Sequence, residues 1–338
     1  MKKKLLAFTL CLGLILTTVG CGSKSSPSGS SSGNTSSTSE SSSVSESSSA
    51  GETASSEEEK PTTEAASNSP ITVGSKDFTE SLVLAEIYAL ALEDAGYQVE
   101  RADALASAVI RESIKTGDVD FYPEYTGTAL VSVLGLDPVY DEDQVYQTVK
   151  EEYEKQYGIS VLDPADVNDS EGLAMLATRA KELGITTISQ AWAAAKNQKL
   201  VFSCKAEFTE AQFPRLEEVY GKLPFEVSVM EHTLSFSAAK SGDVDLFSVY
   251  TTEGNLVGDD YVVLEDDLGA WVPYYIVPVI RDDALQANPG AENVINQVTA
   301  TFTTENVIAM NSAVDVDGEE YADVAKEYYE SIKDSLDF

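Results

Sequence analysis

A chain of 338 residues with 57 acidic against 22 basic side chains carries a formal charge of −35 at pH 7. That balance excludes nucleic acid and electrostatic attachment to anionic lipid, and it leaves a cationic ligand open. Three cysteines are too few to build a disulfide framework.

The chain opens on a targeting pattern. Lys2, Lys3 and Lys4 precede an apolar run from Leu5 to Val19, too short for a membrane span, which ends at Thr18-Val19-Gly20-Cys21. This looks like a bacterial lipobox with Thr18 where Leu is usual, so residues 1–20 are expected to be a lipoprotein signal peptide and Cys21 the lipidated residue. Residues 21–69 are rich in Ser and Glu and nearly free of apolar side chains. Such a stretch cannot offset its ordering entropy, and a disordered tether is expected. With Cys21 lipidated, Cys204 has no disulfide partner.

From residue 70 the pattern becomes α/β. Ile71 to Gly74 reads as a strand, and Asp77 and Glu80 have capping-box spacing for a helix that runs to Gly96. Tyr97–Arg101 predicts a second strand, Ala104–Lys115 a second helix, and a third strand follows. This β-α-β-α-β order predicts a mainly parallel sheet. Asp141–Tyr157 predicts a helix leading into a connecting segment. A second series follows: a strand at Leu173–Ala177, a helix capped by Ser189, a strand at Lys199–Ser203, a helix over Phe208–Tyr220 and a strand at Phe225–Met230. Trp271–Ile280 is apolar and β-rich and returns the chain to the first series; from Asp283 the pattern is helical.

One phrase occurs twice. Lys115-Thr116-Gly117-Asp118-Val119-Asp120 continues to Tyr125-Thr126, and Lys240-Ser241-Gly242-Asp243-Val244-Asp245 continues to Tyr250-Thr251. Each copy reads as a helix end, a Gly cap, a buried strand and a Tyr-Thr pair at the strand's carboxyl end, where open α/β sheets collect ligands. Two copies predict two lobes facing across a cleft, with lobe 1 at 70–170 plus 272–338 and lobe 2 at 171–271. The chain crosses between them twice, which makes a natural hinge.

Gly74-Ser75-Lys76-Asp77-Phe78-Thr79-Glu80, Tyr122-Pro123-Glu124-Tyr125-Thr126-Gly127-Thr128, Tyr250-Thr251-Thr252-Glu253-Gly254 and Leu264-Glu265-Asp266-Asp267 with Pro273-Tyr274 resemble the substrate-binding proteins of betaine/carnitine/choline-type ABC importers. The resemblance spans residues 70–338. It implies a two-lobed, type II periplasmic-binding-protein-like α/β fold that closes on a small quaternary-ammonium solute and delivers it to a membrane permease and its ATPase, as a monomer. A trimethylammonium group has no N–H to donate, so aromatic faces must hold it. Tyr125, Tyr250 and Tyr274 match family positions that line the pocket, and Trp271 is a further candidate. Thr126, Thr128, Thr251, Ser75 and Thr79, at strand ends or a helix start, could receive a polar tail. Two departures are implied: Glu171 stands where a cage tyrosine is common, and Phe213 where Tyr is common. Glu171 could pair with a cation or an N–H-bearing ring, or be a solvated loop residue.

No enzyme motif appears: there is no Gly-x-Ser-x-Gly elbow, P-loop or Gly-x-Gly-x-x-Gly, and His232 is the single histidine. No cofactor is expected. Asp315-Val316-Asp317-Gly318 lacks EF-hand spacing, so no metal is expected either. The rival readings are a receptor for another solute, such as ergothioneine or a cationic amino-acid derivative, and a sensory or adhesive surface lipoprotein.

Overall fold

The computed structural model describes residues 69–338; the expected signal peptide, the lipidated Cys21 and the tether up to residue 68 lie outside the described residues. Strands β1 (Ile71–Val73), β2 (Val99–Arg101), β3 (Phe121–Tyr125), β4 (Ile159–Val161), β5 (Glu171–Leu176), β6 (Val201–Cys204), β7 (Glu226–Val229), β8 (Leu246–Tyr250), β9 (Tyr261–Val263) and β10 (Ile276–Arg281) are joined mostly by helices. They form two five-stranded sheets, ordered β2-β1-β3-β10-β4 and β7-β6-β8-β5-β9. The chain passes from the first sheet to the second between Val161 and Glu171 and returns between Val263 and Ile276.

β1, β2 and β3 run parallel, as do β6, β7 and β8. β10 and β5 lie antiparallel to their neighbours. Each enters its sheet straight from a crossing segment, without the helical crossover that a parallel neighbour needs. Both sheets are therefore mixed, where a mainly parallel one was expected.

The duplicated phrase does the same work in both sheets. Gly117 and Gly242 end their helices at φ +87° and +81°, a left-handed conformation that glycine adopts without a Cβ clash. Thr116 Oγ1 and Ser241 Oγ each donate to the first Asp of the copy, at 2.7 Å. The second Asp grips the neighbouring strand: Asp120 Oδ2 accepts from Thr72 N–H and Asp245 Oδ2 from Val201 N–H, both at 2.9 Å. Alternation along β3 then sends Phe121 and Tyr122 into hydrophobic clusters on opposite faces of the sheet. Phe202 and Phe247 likewise belong to separate clusters in the second lobe.

Three local expectations are corrected. The first helix (Thr79–Asp94) has Phe78 at its N-cap with no side-chain cap, because Glu80 is buried and engaged elsewhere. Thr187, not Ser189, caps the helix Ile188–Ala195, in a capping box with Gln190. The single helix expected over 208–220 is two, Ala206–Ala211 and Phe213–Tyr220, with Pro214 in the first turn of the second, where its missing N–H costs no helical bond.

Candidate ligand-binding cleft

The two crossing segments lie side by side. Asp169 N–H donates to Tyr274 O at 3.0 Å, and Asn168 Oδ1 accepts from Tyr274 N–H at 2.7 Å. The threonines at the two strand tips brace this junction. Thr126 Oγ1 donates to Pro273 O and accepts from Tyr275 N–H, each at 3.0 Å. Thr251 Oγ1 donates to Asn168 O at 2.5 Å and accepts from Ser170 N–H at 3.0 Å. Both hydroxyls are thus spent on the crossing segments, in the same manner in each lobe.

The tyrosines beside them face a cavity of about 510 Å³ between the two sheets, within the size range of small-molecule sites. Tyr125, Tyr250, Tyr274, Trp271, Thr128 and Glu171 all line it. Tyr125 is a fixed wall, with its hydroxyl donating to Glu80 Oε1 at 2.8 Å and the Lys76 ammonium 4.7 Å from its ring centre. Tyr250 is 52% exposed and stands opposite Glu171 in the β5–β8 register. The structure does not bring Ser75, Thr79, Thr126, Thr251 or Phe213 to this cavity. Thr79 Oγ1 donates to Asp315 at 2.5 Å on the exposed side of its helix. The Ser75 carbonyl accepts from Leu105 N–H at 3.0 Å. Phe213 packs on Phe202 and Phe208 in the second core, which an apolar ring does better than a tyrosine would. Thr251 borders an adjoining groove.

The cavity is acidic. Burial pushes the Glu171 carboxyl up to about 7, against one long hydrogen bond from Gln212 at 3.4 Å. Burial, with the nearby Glu253 carboxylate, also raises Asp169. The cationic side chains on the wall are already engaged. Lys76 is buried in an ion pair with Glu124. Arg215 donates to Ala270 O and Gly269 O, and its guanidinium lies 3.7 Å from the Tyr140 ring centre, a contact from the second lobe to the first. Lys76, Asp169, Gln212, Arg215 and Tyr140 were not among the sequence candidates. Lys76 sits inside the Gly74–Glu80 motif and Asp169 two positions before Glu171, whereas nothing local marks Arg215 or Tyr140. His232 Nε2 lies 2.5 Å from Glu253 Oε2, and Cys204 is buried without a disulfide.

Residues 69–331 match the family model of the substrate-binding domain of ABC-type glycine betaine transport systems. The chain belongs to that family. A glycine-betaine-binding protein of Pseudomonas aeruginosa is 30% identical over 275 residues, covering 78% of this chain and 88% of that protein. An ergothioneine transport permease/binding protein of Helicobacter pylori is 27% identical over 272 residues, and there the match spans 79% of this chain but about half (48%) of the relative. Among solved structures, a glycine betaine/carnitine/choline ABC transporter protein superposes with a TM-score of 0.73 at 21% identity, over 78% of this chain and 98% of that one. Ligand-free YehZ of Escherichia coli gives 0.71 at 25%, over 79% and 99%. The fold is that of type II periplasmic binding proteins. This family member is the substrate-binding component of an ABC transport system of the glycine betaine type. It is an extracytoplasmic solute receptor and not an enzyme.

Proposed function

We propose that the receptor captures a small quaternary-ammonium compound in the interlobe cavity, held by an aromatic cage of Tyr250, Tyr274, Trp271 and Tyr125. The observation that carries this reading is the convergence of these rings, from both lobes and the second crossing segment, on one cavity whose uncompensated charge is negative. Aromatic faces contribute roughly 0.5–2 kcal/mol per ring to a desolvated cation. Asp169 and Glu171 supply counter-charge, and Thr128 offers a hydroxyl to a polar tail. The two crossing segments act as the hinge between lobe 1 (70–170 plus 272–338) and lobe 2 (171–271). Closure is driven by the ligand's greater affinity for the closed state. The closed monomer then docks on the permease of its importer, tethered through a lipid on Cys21.

A second reading has support of its own. Glu171 can accept a hydrogen bond from an N–H-bearing ring, which suits a betaine such as ergothioneine, the compound in the name of the Helicobacter relative. A thermal-shift screen of residues 70–338 against choline, glycine betaine, carnitine, proline betaine, ergothioneine and standard amino acids, followed by calorimetry, separates the two. Ligand bound to the native state raises the melting temperature by mass action. A shift from a quaternary ammonium and not from its tertiary analogue supports the cage. Silence from every quaternary compound, with folded protein, sinks the reading.

A further inference from the structure

Carboxyl groups gather where the lobes meet, without a matching set of positive charges. Glu80 comes from the first helix, Asp169 from the first crossing segment, Glu171 from the start of β5 and Glu253 from the turn after β8. Glu80 is 5% exposed. Its Oε1 accepts from Tyr125 and its Oε2 from Asn311 Nδ2, both at 2.8 Å, and Asn311 Nδ2 also donates to Thr252 O in the second lobe at 2.8 Å. Asp169 Oδ1 and Glu253 Oε1 are buried with no hydrogen-bond partner among the described residues.

Among the described residues one basic side chain, His232, is paired inside this cluster, on Glu253, and the other nearby cations are committed elsewhere. Lys76 faces Asp169 but is paired with Glu124, and Arg215 is held by main-chain carbonyls and by Glu218. His232 faces Glu171 and is paired with Glu253, while Lys205 approaches Glu171 only from a side pocket. Tyr125, Tyr250 and Tyr274 stay neutral, since burial raises all three hydroxyls. A buried carboxylate without a counter-charge takes up a proton instead. Burial, followed by the Asp169 charge, brings Glu80 to about 7, and burial alone dominates at Glu171, also about 7. Asp169 and Glu171 line the cavity, so a cation seated there meets the cluster directly.

We propose that the cationic ligand takes the place of a proton: its capture expels about one proton from the Glu80–Asp169–Glu171 cluster to solvent, so that affinity follows the external pH. The inference rests on the reading of the ligand as a cation. No covalent bond to the ligand forms or breaks; a carboxyl O–H gives its proton to buffer, and the ammonium becomes the counter-ion. Below about pH 7 the ligand must displace that proton, so affinity rises up to about tenfold per pH unit and levels off once the cluster is ionised. Choline, with a net positive charge, expels more than a zwitterionic betaine, whose carboxylate offsets part of the field.

Calorimetry on the folded chain, in buffers of different ionisation enthalpy at about pH 6.5 and again at about pH 9, counts the protons directly. The expected result for choline is release of about 0.5–1 proton at the lower pH and almost none at the higher. Glu171→Gln should at least halve the release, and Glu80→Gln is the second variant, with circular dichroism confirming that each folds. Binding with no proton release at the lower pH overturns the proposal and leaves the proposed function intact. Failure of every quaternary compound to bind across the pH range overturns both.

Discussion

Replacing Gly127 by Ala places one methyl group where the cavity wall meets the second crossing segment. A Cβ there would stand 2.8 Å from Tyr274 Cε2 and Cζ and 2.9 Å from the Pro273 carbonyl oxygen. Gly127 lies in a short helical segment after β3, so alanine gains about 1 kcal/mol in helix propensity. Overpacking opposes that gain at about 1–3 kcal/mol, leaving a net loss of stability of roughly 0–2 kcal/mol. The Pro273 carbonyl is held by Thr126 Oγ1, whereas the Tyr274 ring is the far end of a side chain and can swing. The ring is therefore what moves. If it supplies one wall of the cage, about 0.5–2 kcal/mol is lost, which is roughly a two- to thirtyfold weaker ligand dissociation constant. Calorimetry and urea denaturation should show G127A losing affinity about as much as Y274A while remaining folded. The double variant should bind no worse than Y274A alone, because both changes remove the same wall. Undiminished affinity in G127A, with Y274A impaired, would refute the reasoning, since the methyl would then fit without moving the ring.

Glu171→Gln should stabilise the ligand-free protein at alkaline pH. A carboxyl raised from 4.5 to about 7 favours folding fully below 4.5 and loses that advantage as pH climbs to 7, so the carboxylate costs up to about 3 kcal/mol at pH 8. The variant should melt above the wild type at pH 8 and level with it at pH 4; equal melting at both would contradict the burial argument. Gly254→Ala sets a Cβ 2.6 Å from backbone atoms of Ser312, which cannot swing aside, and should cost about 1–3 kcal/mol by urea denaturation while prising the second lobe from helix Thr304–Asp315. Tyr250→Ala removes a half-exposed ring and should leave stability within about 0.5 kcal/mol, yet weaken ligand binding roughly two- to thirtyfold by calorimetry.

The duplicated phrase was legible because its chemistry is local. A Gly at positive φ, a hydroxyl two residues before an Asp and a second Asp reaching the next strand all act within a few positions or across one strand pair. The same locality misled at Glu80, whose spacing from Asp77 suits a cap. The Tyr125 hydroxyl and the Asn311 amide, the latter 231 positions away, draw it into the interior instead. Thr126 and Thr251 sit at strand ends, which makes them candidates for a ligand tail in the sequence. Successive side chains at a strand tip point to different neighbours, and these two reach the crossing segments. Arg215 over Tyr140 joins positions far apart in the chain, so no local pattern could announce it.

That pairing of neighbours has a mechanical consequence. At each tip one residue faces the cavity and the next holds a crossing segment, joined by a single peptide bond: Tyr125 with Thr126, and Tyr250 with Thr251. Each tyrosine and its threonine share one planar peptide unit, so a shift of the backbone at a strand tip moves both. Thr126 grips the returning segment at Pro273 and Tyr275, while Thr251 grips the outgoing one at Asn168 and Ser170. A ligand that draws the two strand tips toward each other therefore loads both crossing segments at once. The bond between Asp169 and Tyr274 ties those segments together, so they respond as a unit. Thr251→Val, which keeps the shape and removes the hydroxyl, should then alter the ligand-induced change in lobe closure measured by small-angle scattering, although Thr251 lies outside the cavity.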